Sequence, residues 1–220
     1  MATRLETLAK ACPEISPEEE FNRQKQVALE IAKRLGLSKA IALAQLPTSF
    51  PELHPSTEER FKLTVPVIVP KFRGLTWLQV AEATGLQVTS YLREQNAKGE
   101  LKTWQDPRGV EIPEAPYSAL VQDGSLFVNR KPVDVRDELQ RVDAAKLVIG
   151  GDEWDGLALA LHRPDMVESK HWDLIGSQVG TGVVVCLGCW DGMPGFSSHW
   201  DDGTGWGSRS LVRGSQVNKA

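Results

Sequence analysis

Apolar residues recur at helical spacing from residue 16 to 36. Phe21, Ala28, Ile31 and Leu35 fall on one face, with Val27 beside them. Ser16 suits an N-cap, Pro17 suits N1 and Glu19 completes a capping box, while Gly36 supplies the stop. A second helix is predicted over roughly 38–46, closed by Pro47, because the stretch PTSFPELHP removes backbone donors and forces extended neighbours. LTVPVIVP (63–70) is β-branched and apolar with a proline inside it, which predicts a short strand at a sheet edge.

Residues 76–98 predict two short helices broken at Gly85, and 100–104 a strand. PYSALVQDGSLFVN (116–129) predicts a β-hairpin turning at Asp123-Gly124, and a helix follows near 133–142. GGDEWDGLALALHRP opens on acids and closes on His162-Arg163, a polarity that complements a helix dipole. Beyond His171 the texture changes to dense glycine and short apolar runs, as in a β-meander. The expected class is α+β: a helical N-terminal part, a central mixed segment with a helix-turn-helix-like corner, and an antiparallel β-rich C-terminal part. The proline-rich stretch near 47–55 divides a 1–55 helical segment from a 56–220 α+β domain, unless the whole is one domain.

Composition narrows the class without naming a function. At 220 residues, 41% hydrophobic and 25% charged, the chain has ordinary globular composition. Its net charge of −4 argues against non-specific coating of nucleic acid. No apolar run is long enough to cross a membrane, no secretory h-region opens the chain, and three cysteines do not make a disulfide framework. A cytoplasmic protein with no membrane partner and no cofactor is expected.

Three clusters carry candidate chemistry. From His171 to Ser208 there are four aspartates and no lysine or arginine, and five of the seven tryptophans lie between residues 154 and 206. Asp191, His199, Trp200, Asp201, Asp202, Trp206 and Arg209 therefore form a candidate recognition surface, the rings giving apolar contact and the charged groups polar anchors. The plainer reading is a set of Asp-Gly turns around core tryptophans.

The second cluster is the corner at 76–112. There Gln87, Thr89, Ser90, Arg93 and Asn96 could read base edges and Arg108 could meet phosphate. Six basic against four acidic residues over 70–110 make a weak electrostatic footprint for that use. The third is CLGC. Cys186 and Cys189 could serve a thiol or metal enzyme with His199, but zinc needs further ligands, and only His171, His199 and the distant Cys12 are on offer. If this stretch is a strand, positions three apart face opposite sides and cannot chelate together. A non-enzymatic binding protein is the leading expectation. A winged-helix-like nucleic-acid binder and a thiol or metal enzyme are the alternatives.

EEFNRQ, VPVIVP, APYSALVQD, WDGLALALHRPDMV, WDLIGSQVG and HWDDGTGWGSRS occur in this order. In these blocks, from Phe21 to Ser210, the chain resembles a family of uncharacterised bacterial proteins classed as a domain of unknown function. The resemblance implies no activity. It implies that 162–178 and 199–210 form one piece of architecture, with His162 and His199 close in space.

Overall fold

A computed structural model describes residues 15–53, 55–103, 113–141, 148–203 and 207–214. Three helices come first: α1 (Pro17–Arg34), α2 (Lys39–Gln45) and α3 (Pro55–Phe61). Next are β1 (Leu63–Val69), α4 (Trp77–Thr84), β2 (Gln87–Val88), α5 (Ser90–Ala97) and β3 (Leu101–Thr103). After β4 (Tyr117–Gln122) come α6 (Pro132–Gln140), β5 (Val148–Gly150), α7 (Glu153–His162) and α8 (Pro164–Ser169). The rest is strand: β6 (His171–Val179), β7 (Val183–Trp190), β8 (Met193–Trp200), β9 (Ser208–Ser210) and β10 (Val212–Gly214). The chain is α+β, its helices mainly early and its strands mainly late.

The strands make two sheets. One has the order β1-β4-β10-β5 with every pairing antiparallel. The other runs β2-β8-β7-β6-β3, and β9 adds to it parallel to the start of β6. Only Leu211 separates β9 from β10, so one run of backbone serves both sheets. Its N–H donates to the Asp173 carbonyl at 2.8 Å, and its carbonyl accepts from Gly151 at 2.9 Å. Here the sheets touch through glycine. A Cβ on Gly176 would lie 2.5 Å from the Gly150 carbonyl oxygen, a distance that leaves no room for any side chain.

Between the sheets lies α7, with all ten residues buried. Trp154, Leu157 and Leu161 pack in one core cluster with Val65, Val67 and Val69 of β1 and with Trp172, Leu174, Leu187 and Phe196 of the other sheet. Val27 and Ile31 of α1 belong to the same cluster, so the N-terminal helices share this core. The opening acids of α7 have separate jobs. Asp152 caps the helix by accepting from Trp154 and Asp155 N–H groups. Asp155 accepts from the Tyr117 hydroxyl and from Arg213 Nε, both at 2.8 Å. The buried carboxylate thus has a buried guanidinium, which its desolvation requires.

β1 is an edge strand, as Pro66 led us to expect, and its outer side is covered. Gln24 of α1 donates to the Pro66 carbonyl at 2.8 Å and accepts from the Ile68 N–H at 2.7 Å. The His162 ring nitrogen Nε2 meets the Ile68 carbonyl at 2.9 Å. Side chains here do the work of a missing neighbour strand.

The predicted capping box at Ser16 forms, and Gly85 ends α4 at φ +82°. The hairpin at Asp123-Gly124 does not form. β4 pairs instead with β1 and β10, and after the turn Phe127 and Asn129 adopt positive φ, which breaks any returning strand. Among the described residues no helix is long and apolar enough to cross a membrane.

Candidate metal centre

The register of β6, β7, β8 and β9 sorts residues onto two faces. Trp172, Leu174, Val185, Leu187 and Phe196 point to the α7 side. The alternate positions carry polar groups. Ser208 pairs with His171, Ser210 with Asp173, Asp173 with Cys186 and Cys186 with Ser197, while His199 stands opposite Val184. Residues 37 positions apart in sequence, such as His171 and Ser208, thus become neighbours.

His171, Cys186 and His199 each present one potential ligand atom, and the three atoms lie within 4.8 Å of one another. Asp173 sits among them, fully buried. Its Oδ1 lies 2.7 Å from His199 Nε2 and 3.6 Å from His171 Nε2. His199 Nδ1 faces the Trp200 carbonyl at 2.8 Å. Both nitrogens of His199 therefore meet acceptors, which only the doubly protonated ring satisfies in full. The hydrogen bond to Asp173 accordingly holds the His199 pKa above its ordinary value. Burial moves His171 the other way, toward the neutral ring.

Four polar atoms around this cluster are buried without a hydrogen-bond partner among the described residues: His171 Nε2, Asp173 Oδ2, Ser208 Oγ and Ser210 Oγ. Such a concentration is unusual, because each unpaired buried group carries a desolvation cost. Glycine keeps the site roomy, since a Cβ on Gly188 would come within 3.3 Å of His171 Nδ1. On the outer side the His171 ring stacks edge-on against Trp190.

Two chemistries are conceivable for these groups. A nucleophilic thiol needs access and a thiolate. Cys186 is only 2% exposed, and burial, followed by the charge of Asp173, pushes its pKa up to about 12. A divalent cation suits the arrangement better. Two imidazoles and a sulfur are the borderline-soft donors that zinc prefers, at roughly 2.0–2.3 Å. Tetrahedral ligands at that range stand roughly 3.3–3.8 Å apart, so small side-chain movements close the set. Cys189 is not part of the cluster, as strand alternation requires.

The other residues singled out in the sequence are dispersed. Asp191 occupies the exposed β7–β8 turn at φ +54°, and Trp200 stands 66% exposed at the end of β8. Asp201 is ion-paired with Arg136 of α6 at 3.0 Å, while Asp202 is exposed. Arg209 donates to the carbonyls of Gly124 and Gly207. Trp206 and Arg108 lie outside the described residues. Gln87 belongs to β2, which pairs parallel with β8. Thr89, Ser90 and Arg93 are exposed around the start of α5, with Asn96 half-buried. Arg93 pairs with Glu82 across the corner.

Sequence reasoning named Cys186 and His199 and noted His171, but missed Asp173 as the residue joining them. The spacing His171-x-Asp173 in a strand was the available signal. The blocks 162–178 and 199–210 meet where β9 pairs with β6. His162 and His199 have different neighbours, the Ile68 carbonyl and Asp173 respectively. No protein-family model, curated protein or solved structure matches the chain. The chemistry of the site rests on its own geometry.

Proposed function

We propose that the protein binds a divalent transition metal of the zinc class through His171, Cys186 and His199, with Asp173 beside them. One observation carries this reading: three soft or borderline donors from three adjacent strands converge within 4.8 Å of one another. Buried polar atoms without partners around them add support, as does the Trp200 carbonyl, which can fix the His199 tautomer from behind. Three protein ligands leave a coordination position for water or substrate, the pattern of catalytic rather than structural zinc. Cys186 and Cys189 as free thiols suit a reducing compartment such as the cytoplasm.

Zinc titrated against a chromophoric chelator tests the reading. One equivalent bound by the wild type is expected, with binding lost in Cys186→Ser and His199→Asn and kept in Cys189→Ser. Equal uptake by the wild type and Cys186→Ser would overturn it.

A second reading keeps the recognition surface at the end of β8. Trp200 at 66% exposure beside exposed Asp202 supports it. Tryptophan fluorescence titrated with calcium or sugars checks it, and an unchanged signal counts against it.

A further inference from the structure

A cavity of about 460 Å³ opens directly beside His171, between the end of α8 and β9. Lys170 and Arg209 line it, together with Glu168, Cys189 and Gly188. Both cations are fixed by backbone carbonyls of a single turn. Lys170 Nζ donates to Asp123 and Arg209 Nε to Gly124, each at 2.7 Å, and Arg209 Nη1 also donates to Gly207 at 2.6 Å. The Lys170 ammonium further lies 5.7 Å from the centre of the Trp172 ring.

Among the described ion pairs none includes Lys170 or Arg209. The two like charges thus share one cavity wall and are oriented by backbone dipoles, with no carboxylate in ion-pair contact with either among the described residues. Burial, and next the charge of Arg209, depress the Lys170 pKa, with Arg163 acting the same way and Asp123 and Asp165 opposing. Each cation also keeps donors to spare. An ammonium has three N–H groups and a guanidinium five, and the bonds above use one and two of them. Glu168 is the one acid among the described residues of the cavity wall, and it is exposed.

We infer that this cavity is an oxyanion subsite, built to receive the doubly charged phosphate-like group of a small molecule whose remainder reaches the His171 side of the metal centre. A dianion matches two cations, and tetrahedral oxygens can accept from the ammonium and the guanidinium together. The approach to the centre rests on the metal reading above; the subsite itself does not.

Calorimetric titration of inorganic phosphate into the chelator-treated protein, with acetate as the singly charged comparison, tests the inference. Phosphate is expected to bind more tightly than acetate and to weaken as salt rises. Lys170→Gln is expected to weaken phosphate about tenfold, the loss of one charge-assisted hydrogen bond. Glu168→Gln is expected to tighten it, a gain that damaged folding cannot imitate. Arg209→Gln removes two backbone anchors as well, so it is read only alongside its unfolding curve. Absence of phosphate binding, or equal binding by wild type, Lys170→Gln and Glu168→Gln, would overturn the subsite whatever zinc does. Loss of zinc uptake with phosphate binding intact would overturn the metal reading and uphold the subsite.

Discussion

Acid should weaken this protein through one imidazole in particular. His162 ends α7 with its ring fully buried, Nε2 on the Ile68 carbonyl and Nδ1 without a hydrogen-bond partner among the described residues. Burial, and next the charge of Arg23, lower its pKa to about 3. In the unfolded chain the same ring titrates near 6.5. Between those values the unfolded chain holds a proton that the folded chain refuses. The contribution of His162 is therefore complete above about pH 6.5 and drains away as pH falls toward 3.

At about 1.4 kcal/mol per pH unit, the full loss is on the order of 4–5 kcal/mol. A typical domain has only about 5–15 kcal/mol in total. The assay is urea denaturation at several pH values for the wild type and His162→Gln, an amide that can still donate to Ile68 but cannot take up the proton. His171, His199 and the carboxylates are common to both chains, so the difference isolates His162. The variant should be less stable at pH 7 by about 1–2 kcal/mol and overtake the wild type in acid. A difference that stays constant from pH 7 to 4 would refute the reasoning, as would a His162 ring resonance titrating above about pH 5.

Gln24→Leu strips both polar partners from the outer side of β1, leaving the Pro66 carbonyl and Ile68 N–H unpaired. A loss of about 2–5 kcal/mol by guanidinium denaturation is expected. Glu153 is buried at the start of α7, and burial, reinforced by Asp152, raises its pKa. The folded state thus favours its protonated form, and stability falls as pH rises from the ordinary carboxylate range. Glu153→Gln should match the wild type near pH 5 and exceed it at pH 9 in thermal unfolding. Gly176→Ala drives a methyl into the Gly150–Gly151 backbone and should cost about 1–3 kcal/mol or more, read as a lowered denaturation midpoint.

Local chemistry made much of the fold legible. Ser16, Pro17 and Glu19 announce the first helix because a cap is satisfied within one turn. Pro66 marks an edge because it has no donor for an outer neighbour. The turn at Asp123-Gly124 misled because the pair suits a hairpin, whereas β4 finds its partners 48 to 59 residues before and over 90 residues after, in β1 and β10. Arg213 lay hidden for a related reason. Nothing in the residues beside it points to a buried partner, and only the insertion of β10 between β4 and β5 brings it to Asp155. The candidate metal centre is non-local in the same way. Its members stand on three strands, and their meeting depends on a register that a one-residue slip would invert.

The passage of residues 208–214 from one sheet into the other has a consequence for biosynthesis. The second sheet waits for β9, which flanks β6 and ends at Ser210, and the first waits for β10, which fills the gap between β4 and β5 and ends at Gly214. Until then the nascent chain exposes unpaired edges on both sides of that gap, the state in which chaperones find their clients. A frameshift or nonsense codon before Ser208 would release a product in which both sheets lack a strand, leaving unpaired edges for quality-control proteases to seize.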